Sequence, residues 1–184
     1  MVNKQLSQVC FLPRVTLALS LIVLLSANDQ VHAQAGASKS ANASATIVQA
    51  VKVTKVQDLS FGLIVSDSIG GLVVVGPDGS RSSTGPVLLM QSQNGAAFQP
   101  AQFVVTGAAG FVYTISLPTD GQSISSNGTS SATMSVDTFV SDPIGTAALI
   151  SGVSTFKVGA TLHVQAGKVA GAYSGSFSVT VEYQ

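Results

Sequence analysis

Along much of this chain apolar and polar side chains alternate singly, which is the spacing of extended backbone with one face turned to a core. The clearest case lies at the C-terminal end. There Phe177, Val179, Val181 and Tyr183 alternate with Ser176, Ser178, Thr180 and Glu182. Gly171 opens the segment and an aromatic stands next to its last residue, so the pattern predicts a terminal strand with an apolar inner face. A second alternating run places Phe111, Tyr113 and Ile115 on one face and Thr114 and Ser116 on the other, as a half-buried antiparallel strand requires.

The remaining runs are short and rich in β-branched residues. Ala45–Val53 and Val56–Val65 predict the first two strands, with Gly62 inside the second marking a bulge or a close backbone approach. Leu72–Val75 follows the Gly70-Gly71 pair, Pro77-Asp78-Gly79 is a tight-turn signal, and the polar stretch Arg81–Gly85 reads as a connection into a strand at Pro86–Met90. Asn94-Gly95 marks another turn. Gly107–Gly110 reads as a hairpin turn joining Ala101–Thr106 to Phe111–Leu117, and Pro118–Ser130 as a Ser/Gly-rich loop or small hairpin. Ala132–Val140 and Thr155–Val164 complete the set before the terminal strand. With about nine such strands and no capped helical pattern, the expected fold is all-β, an immunoglobulin-like antiparallel β-sandwich.

The N-terminal region follows a different rule. Lys4 and Arg14 precede an apolar run from Val15 to Leu25, and Val31-His32-Ala33 supplies the small residues that a signal peptidase accepts. Residues 1–33 are therefore expected to be a signal peptide cut between Ala33 and Gln34. The apolar run is shorter than the ~20 residues a spanning helix needs, so the mature form is expected to have no membrane span and to be exported to the periplasm, cell surface or medium. Residues 34–44 are small and polar and read as a flexible extension, leaving 45–184 as a single domain.

Composition narrows the chemistry. Eight basic and eight acidic residues cancel with no basic stripe, which argues against nucleic acid as a partner. The one cysteine, Cys10, lies inside the signal segment, so thiol, disulfide and zinc-thiolate chemistry are not expected of the mature chain. His163 is the one histidine outside that segment, set opposite Leu162 and Val164 in its run, and the sequence offers it no recognisable acid or nucleophile. Asp67, Asp78, Asp120, Asp137 and Asp142 are scattered without the spacing of a calcium loop and suit turns. No serine sits in a G-x-S-x-G elbow; Gly171-Ala172-Tyr173-Ser174-Gly175 misses by one position. The expectation is a non-enzymatic protein without catalytic, metal or cofactor residues.

Three segments taken together carry a resemblance: Leu59-Ser60-Phe61-Gly62-Leu63-Ile64, Phe156-Lys157-Val158-Gly159-Ala160-Thr161-Leu162, and Gly171 through Tyr183. They are similar to a bacterial exported domain of unknown function, over nearly all of residues 45–184. The ending also resembles subunits of chaperone-usher pili, of the cysteine-free common-pilus type, in its alternation, its aromatic Tyr183 and its Gly171. That resemblance implies a structural or adhesive fibre subunit assembled by strand exchange. Its partners would be other copies of itself and a periplasmic chaperone, and Gly171, Phe177, Val179, Val181 and Tyr183 would be the strand contacts. The extension, with Ala45 and Ile47, would be the donor strand. The alternative is a self-complete monomeric sandwich binding an unknown ligand, with residues 45–53 as its own first strand.

Overall fold

The computed structural model describes residues 36–91, 96–127 and 132–184. The chain divides into two units, Met1–Ala45 and Thr46–Gln184. Of the first, the described residues 36–45 are exposed and carry neither helix nor strand. The signal segment with its Ala33-Gln34 junction, and the Asn94-Gly95 turn, lie outside the described residues.

The second unit is all-β and antiparallel. In chain order its strands are β1 (Lys52–Gln57), β2 (Ser60–Phe61), β3 (Ile64–Val65), β4 (Gly71–Val75), β5 (Arg81–Thr84), β6 (Leu88–Leu89), β7 (Phe98–Gln99) and β8 (Ala101–Thr106). They continue with β9 (Val112–Ser116), β10 (Gln122–Ser126), β11 (Thr133–Asp142), β12 (Thr146–Ala148), β13 (Val153–Val164), β14 (Tyr173–Ser174) and β15 (Thr180–Tyr183). The expected strands are present in the main, but several are broken into two-residue pieces where glycine or a change of partner interrupts the ladder.

β13 is the spine of the larger sheet. One of its edges carries β11, from Ser135 opposite His163 to Asp142 opposite Lys157. Its other edge is shared: β8 takes Val153–Val158 and β4 takes Ala160–Val164. The handover falls at Gly159, where a Cβ would lie 2.2 Å from the Val75 carbonyl oxygen, so only glycine admits the end of β4 there. With β1 beyond β8, and β10 and β14 beyond β11, the sheet curls strongly into a half-barrel. A three-stranded sheet, β12-β9-β15, is formed separately, and β2–β7 and β3–β6 make two small ribbons.

Three expectations are corrected. Arg81–Thr84 is a strand and not a connection: it pairs with β4 from Leu72 opposite Thr84 to Val75 opposite Arg81. As an edge strand with its side chains largely in solvent it needs no apolar face, which is why its sequence looked like a loop. Gly107–Gly110 is not a hairpin, because β8 pairs with β1 and β13 while β9 pairs with β12 and β15; the turn carries the chain from one sheet to the other. Ala45–Ala50 is exposed and outside any strand, and the first ladder begins at Lys52 opposite Thr106.

The core has two clusters. One gathers Phe103, Val105, Tyr113, Ile115, Leu149, Phe156 and Val158 between β8, the first half of β13 and the three-stranded sheet. The other gathers Val73, Val87, Met134, Val136, Leu162 and Val164 on the second half of β13 and its neighbours. Leu59 and Phe139 touch both. Phe139 reaches the core through a bulge between Asp137 and Val140, where Thr138 takes a positive φ of 49°. Met134 and Val136 point inward before the extra residue and Phe139 after it, so the bulge shifts the alternation by one.

Candidate functional site

A groove of about 1130 Å³ opens over part of both core clusters. Its floor is made by inward side chains of four strands: Phe103 on β8, Ile124 on β10, Met134, Val136 and Phe139 on β11, and Leu162 and Val164 on β13. One wall is the chain after β1, from Asp58 to Ser66, and the facing wall runs from Lys168 to Phe177, just upstream of β15. The walls are made of strand fragments. On one side β2 and β3 contribute two residues each, separated by Gly62 with a φ of 73°. On the other, residues 175–179 belong to no strand.

The local chemistry explains the fragmentation. Gly62 sits where a Cβ would come within 3.1 Å of the Phe98 side chain, which is the close approach its position suggests. Arg81 holds the fragments from behind: its guanidinium donates to the carbonyl oxygens of Leu63 at 2.6 Å and Met90 at 3.1 Å, and stacks over the Phe98 ring at 5.1 Å. On the other wall, a Cβ at Gly175 would stand 2.6 Å from the Ser123 carbonyl oxygen, so glycine allows that segment to lie close to β10.

The five expected contact residues fall in two settings. Gly171 and Phe177 line the groove. Phe177 meets Phe139 with ring centroids 4.9 Å apart and Phe103 edge-on at 6.3 Å. Val179, Val181 and Tyr183 are half-buried against the first cluster, while Ser178, Thr180 and Glu182 are exposed. β15 pairs with β9, Val181 opposite Ile115 and Tyr183 opposite Tyr113. The Tyr183 hydroxyl accepts from the Ala108 amide at 2.6 Å and donates to the Gln49 carbonyl at 2.8 Å.

The N-terminal segment holds a regularity that its overall polarity hides. Ala41, Ala43, Ala45 and Ile47 alternate with Ser40, Asn42, Ser44 and Thr46, a strand pattern whose apolar face is made of small side chains. A search for large hydrophobic residues passes over it. Ile47 is 96% exposed.

His163 is half-exposed on the outer face of β13, and it does have an acid beside it: its Nε2 lies 2.8 Å from Oδ2 of Asp137 on β11. Neither its distance in sequence nor the turn-forming habit of aspartate signals that pairing; it depends on the β11–β13 register. The hydrogen bond from His163 holds the Asp137 carboxyl below its ordinary 3.8, against a small opposing effect of burial and with help from the Thr138 hydroxyl. Asp78 behaves as expected of a turn former, accepting from the Ser80 hydroxyl at 2.7 Å and amide at 2.9 Å, which lower its pKa. Among the described residues no group of three or more His, Cys, Asp or Glu side chains is placed to hold a metal ion.

Fold and groove together define an all-β domain built on antiparallel sheets. Residues 51–183 match the family described as a domain of unknown function, DUF4402, and the chain belongs to that family. No curated protein and no solved structure matches it.

Proposed function

We propose that this protein is a non-enzymatic, exported structural or adhesive subunit of a surface fibre, assembled by strand exchange. In this reading the domain is an immunoglobulin-like sandwich short of one strand, and the groove of one copy takes the N-terminal segment of another, a periplasmic chaperone filling it beforehand. The observation that carries the reading is the groove itself: an apolar floor contributed by four strands, lying open between two walls whose backbone is largely outside any ladder. A strand laid there would pair with backbone on either side and cover Met134, Val136 and Phe139.

The occupant is argued from the same chain. Residues 41–47 are exposed, extended in pattern and narrow on their apolar face. Burying Ile47 and three alanines contributes about 4 kcal/mol, and each ladder hydrogen bond adds about 0.5–1.5 kcal/mol net. Small side chains suit a floor that already holds two phenylalanines. The test is a titration. A chain lacking residues 34–49 should bind a synthetic peptide of residues 36–49 one to one and melt several degrees higher with it, and the peptide carrying Ile47→Asp should not bind. Absence of binding by the unmodified peptide overturns the reading in favour of a self-complete module.

A further inference from the structure

The three-stranded sheet β12-β9-β15 leaves one edge of β12 without a strand partner among the described residues. The register with β9 fixes which backbone groups face that edge. Ile115 donates its amide to the Gly145 carbonyl and Leu149 donates to the Phe111 carbonyl, so Gly145, Ala147 and Leu149 turn their backbone groups toward β9. Thr146 and Ala148 turn theirs the other way. The Thr146 amide folds back on the Ile144 carbonyl at 2.7 Å, which leaves the Thr146 carbonyl and both backbone groups of Ala148 on the free edge. Both residues are exposed.

Free edges elsewhere in the domain carry charge or are cut short, which is how such edges are kept from pairing with another chain. β1 has Lys52, Lys55 and a bulge at Val56, β5 begins at Arg81, β15 carries Glu182, and β14 is two residues long. Around β12 there is no charged residue between Asp142 and Lys157. Ile144 and Ile150 flank the strand instead, 80% and 83% exposed, each three positions from Ala147.

We infer that the free edge of β12 pairs antiparallel with the same edge of a second copy of this chain, about a two-fold axis at Ala147. The sequence around that axis is its own complement. With Ala147 opposite itself, Thr146 falls opposite the second copy's Ala148, and the Ala148 amide of each copy donates to the Thr146 carbonyl of the other. Ile144 falls opposite the second copy's Ile150, so each exposed isoleucine is covered by the other. The two three-stranded sheets then run on as one. A contact of this kind uses the same patch on both copies and closes at two. It makes no use of the groove and stands independently of strand exchange.

The experiment uses residues 34–184 carrying Ile47→Asp, so that an oligomer formed by strand exchange is not counted. Sedimentation over a dilution series should show a monomer–dimer equilibrium with nothing larger. In that background Ala148→Pro removes an amide that serves only the free edge, a place where a strand tolerates proline. It should weaken the dimer about tenfold or more, the scale of losing two mutual hydrogen bonds, with little change in melting of the monomer. Ile144→Lys should weaken it comparably, and it covers the case of a poorly folding proline variant because that side chain is in solvent. Adding Ile150→Glu to Ile144→Lys should restore the dimer, since each lysine then faces the other copy's glutamate, an outcome that a merely structural role for these residues does not give. A chain that stays monomeric at every concentration overturns the inference, and so does a dimer that is indifferent to Ala148→Pro and Ile144→Lys. Failure of the 36–49 peptide to bind bears on strand exchange alone and leaves the edge pairing to be decided by these variants.

Discussion

The two halves of the core are built on one strand and finished differently. Around Val153–Val158, β13 is roofed by a regular three-stranded sheet, and Tyr113, Leu149 and Phe156 are at most 1% exposed. Around Ala160–Val164 the same strand is roofed by two-residue fragments and by a groove. The floor residues are equally apolar in both places. What differs is the continuity of the covering backbone, so a good core on one side does not by itself close a domain.

That contrast can be tested by truncation on each side. Phe156→Ala, which empties a site stacked on Phe103 at 5.2 Å in the closed half, should cost about 3–5 kcal/mol in urea unfolding. Phe61→Ala, on the fragmentary roof, should cost about 1–2 kcal/mol because that side chain is already half in solvent. Equal losses at the two positions would show that the open half is as well covered as the closed one. A gentler probe is Arg81→Met, which keeps the aliphatic stem and removes the hydrogen bonds to Leu63 and Met90. It should cost about 1 kcal/mol and speed exchange of the Met90 amide, with the closed half unaffected.

The smallest effect is expected on the outer face. Asp137 has its pKa lowered in the folded chain, so the folded state binds fewer protons than the unfolded state in the acid range, and the pairing contributes stability above the ordinary value of 3.8. That contribution is lost as pH falls through the lowered pKa. Because the pair is more than a third exposed on the His163 side, Asp137→Asn should cost no more than about 1 kcal/mol near neutrality. The difference from the unmodified chain should vanish in strong acid, and a difference that persists there would assign it to packing.

The sequence was most informative where a strand has one face in the core. Phe177, Val179, Val181 and Tyr183 stand on the inner side as their alternation requires, and β8 and β13 fall where their β-branched runs lie. It was least informative at edges. The Arg81–Thr84 strand shows no apolar face, and Gln122–Ser126 offers a single inward Ile124 among serines and a glutamine. The groove could not be read at all from one stretch, since it arises from two walls more than a hundred residues apart in the chain. The His163–Asp137 pair was hidden for a related reason: a one-residue bulge at Thr138 helps set which residues face each other across β11 and β13.

The antiparallel pairing of β1 with β8 has a mechanical side. Five residue pairs, from Lys52 with Thr106 to Gln57 with Gln102, tie the base of the N-terminal segment to the body of the domain. A pull on the chain before Lys52 along the strand axis loads those rungs together in shear and does not peel them one after another. The load then passes through β8 to β13, the strand that both halves of the core share. The first strand of the domain is thus anchored in the continuous part of the sheet.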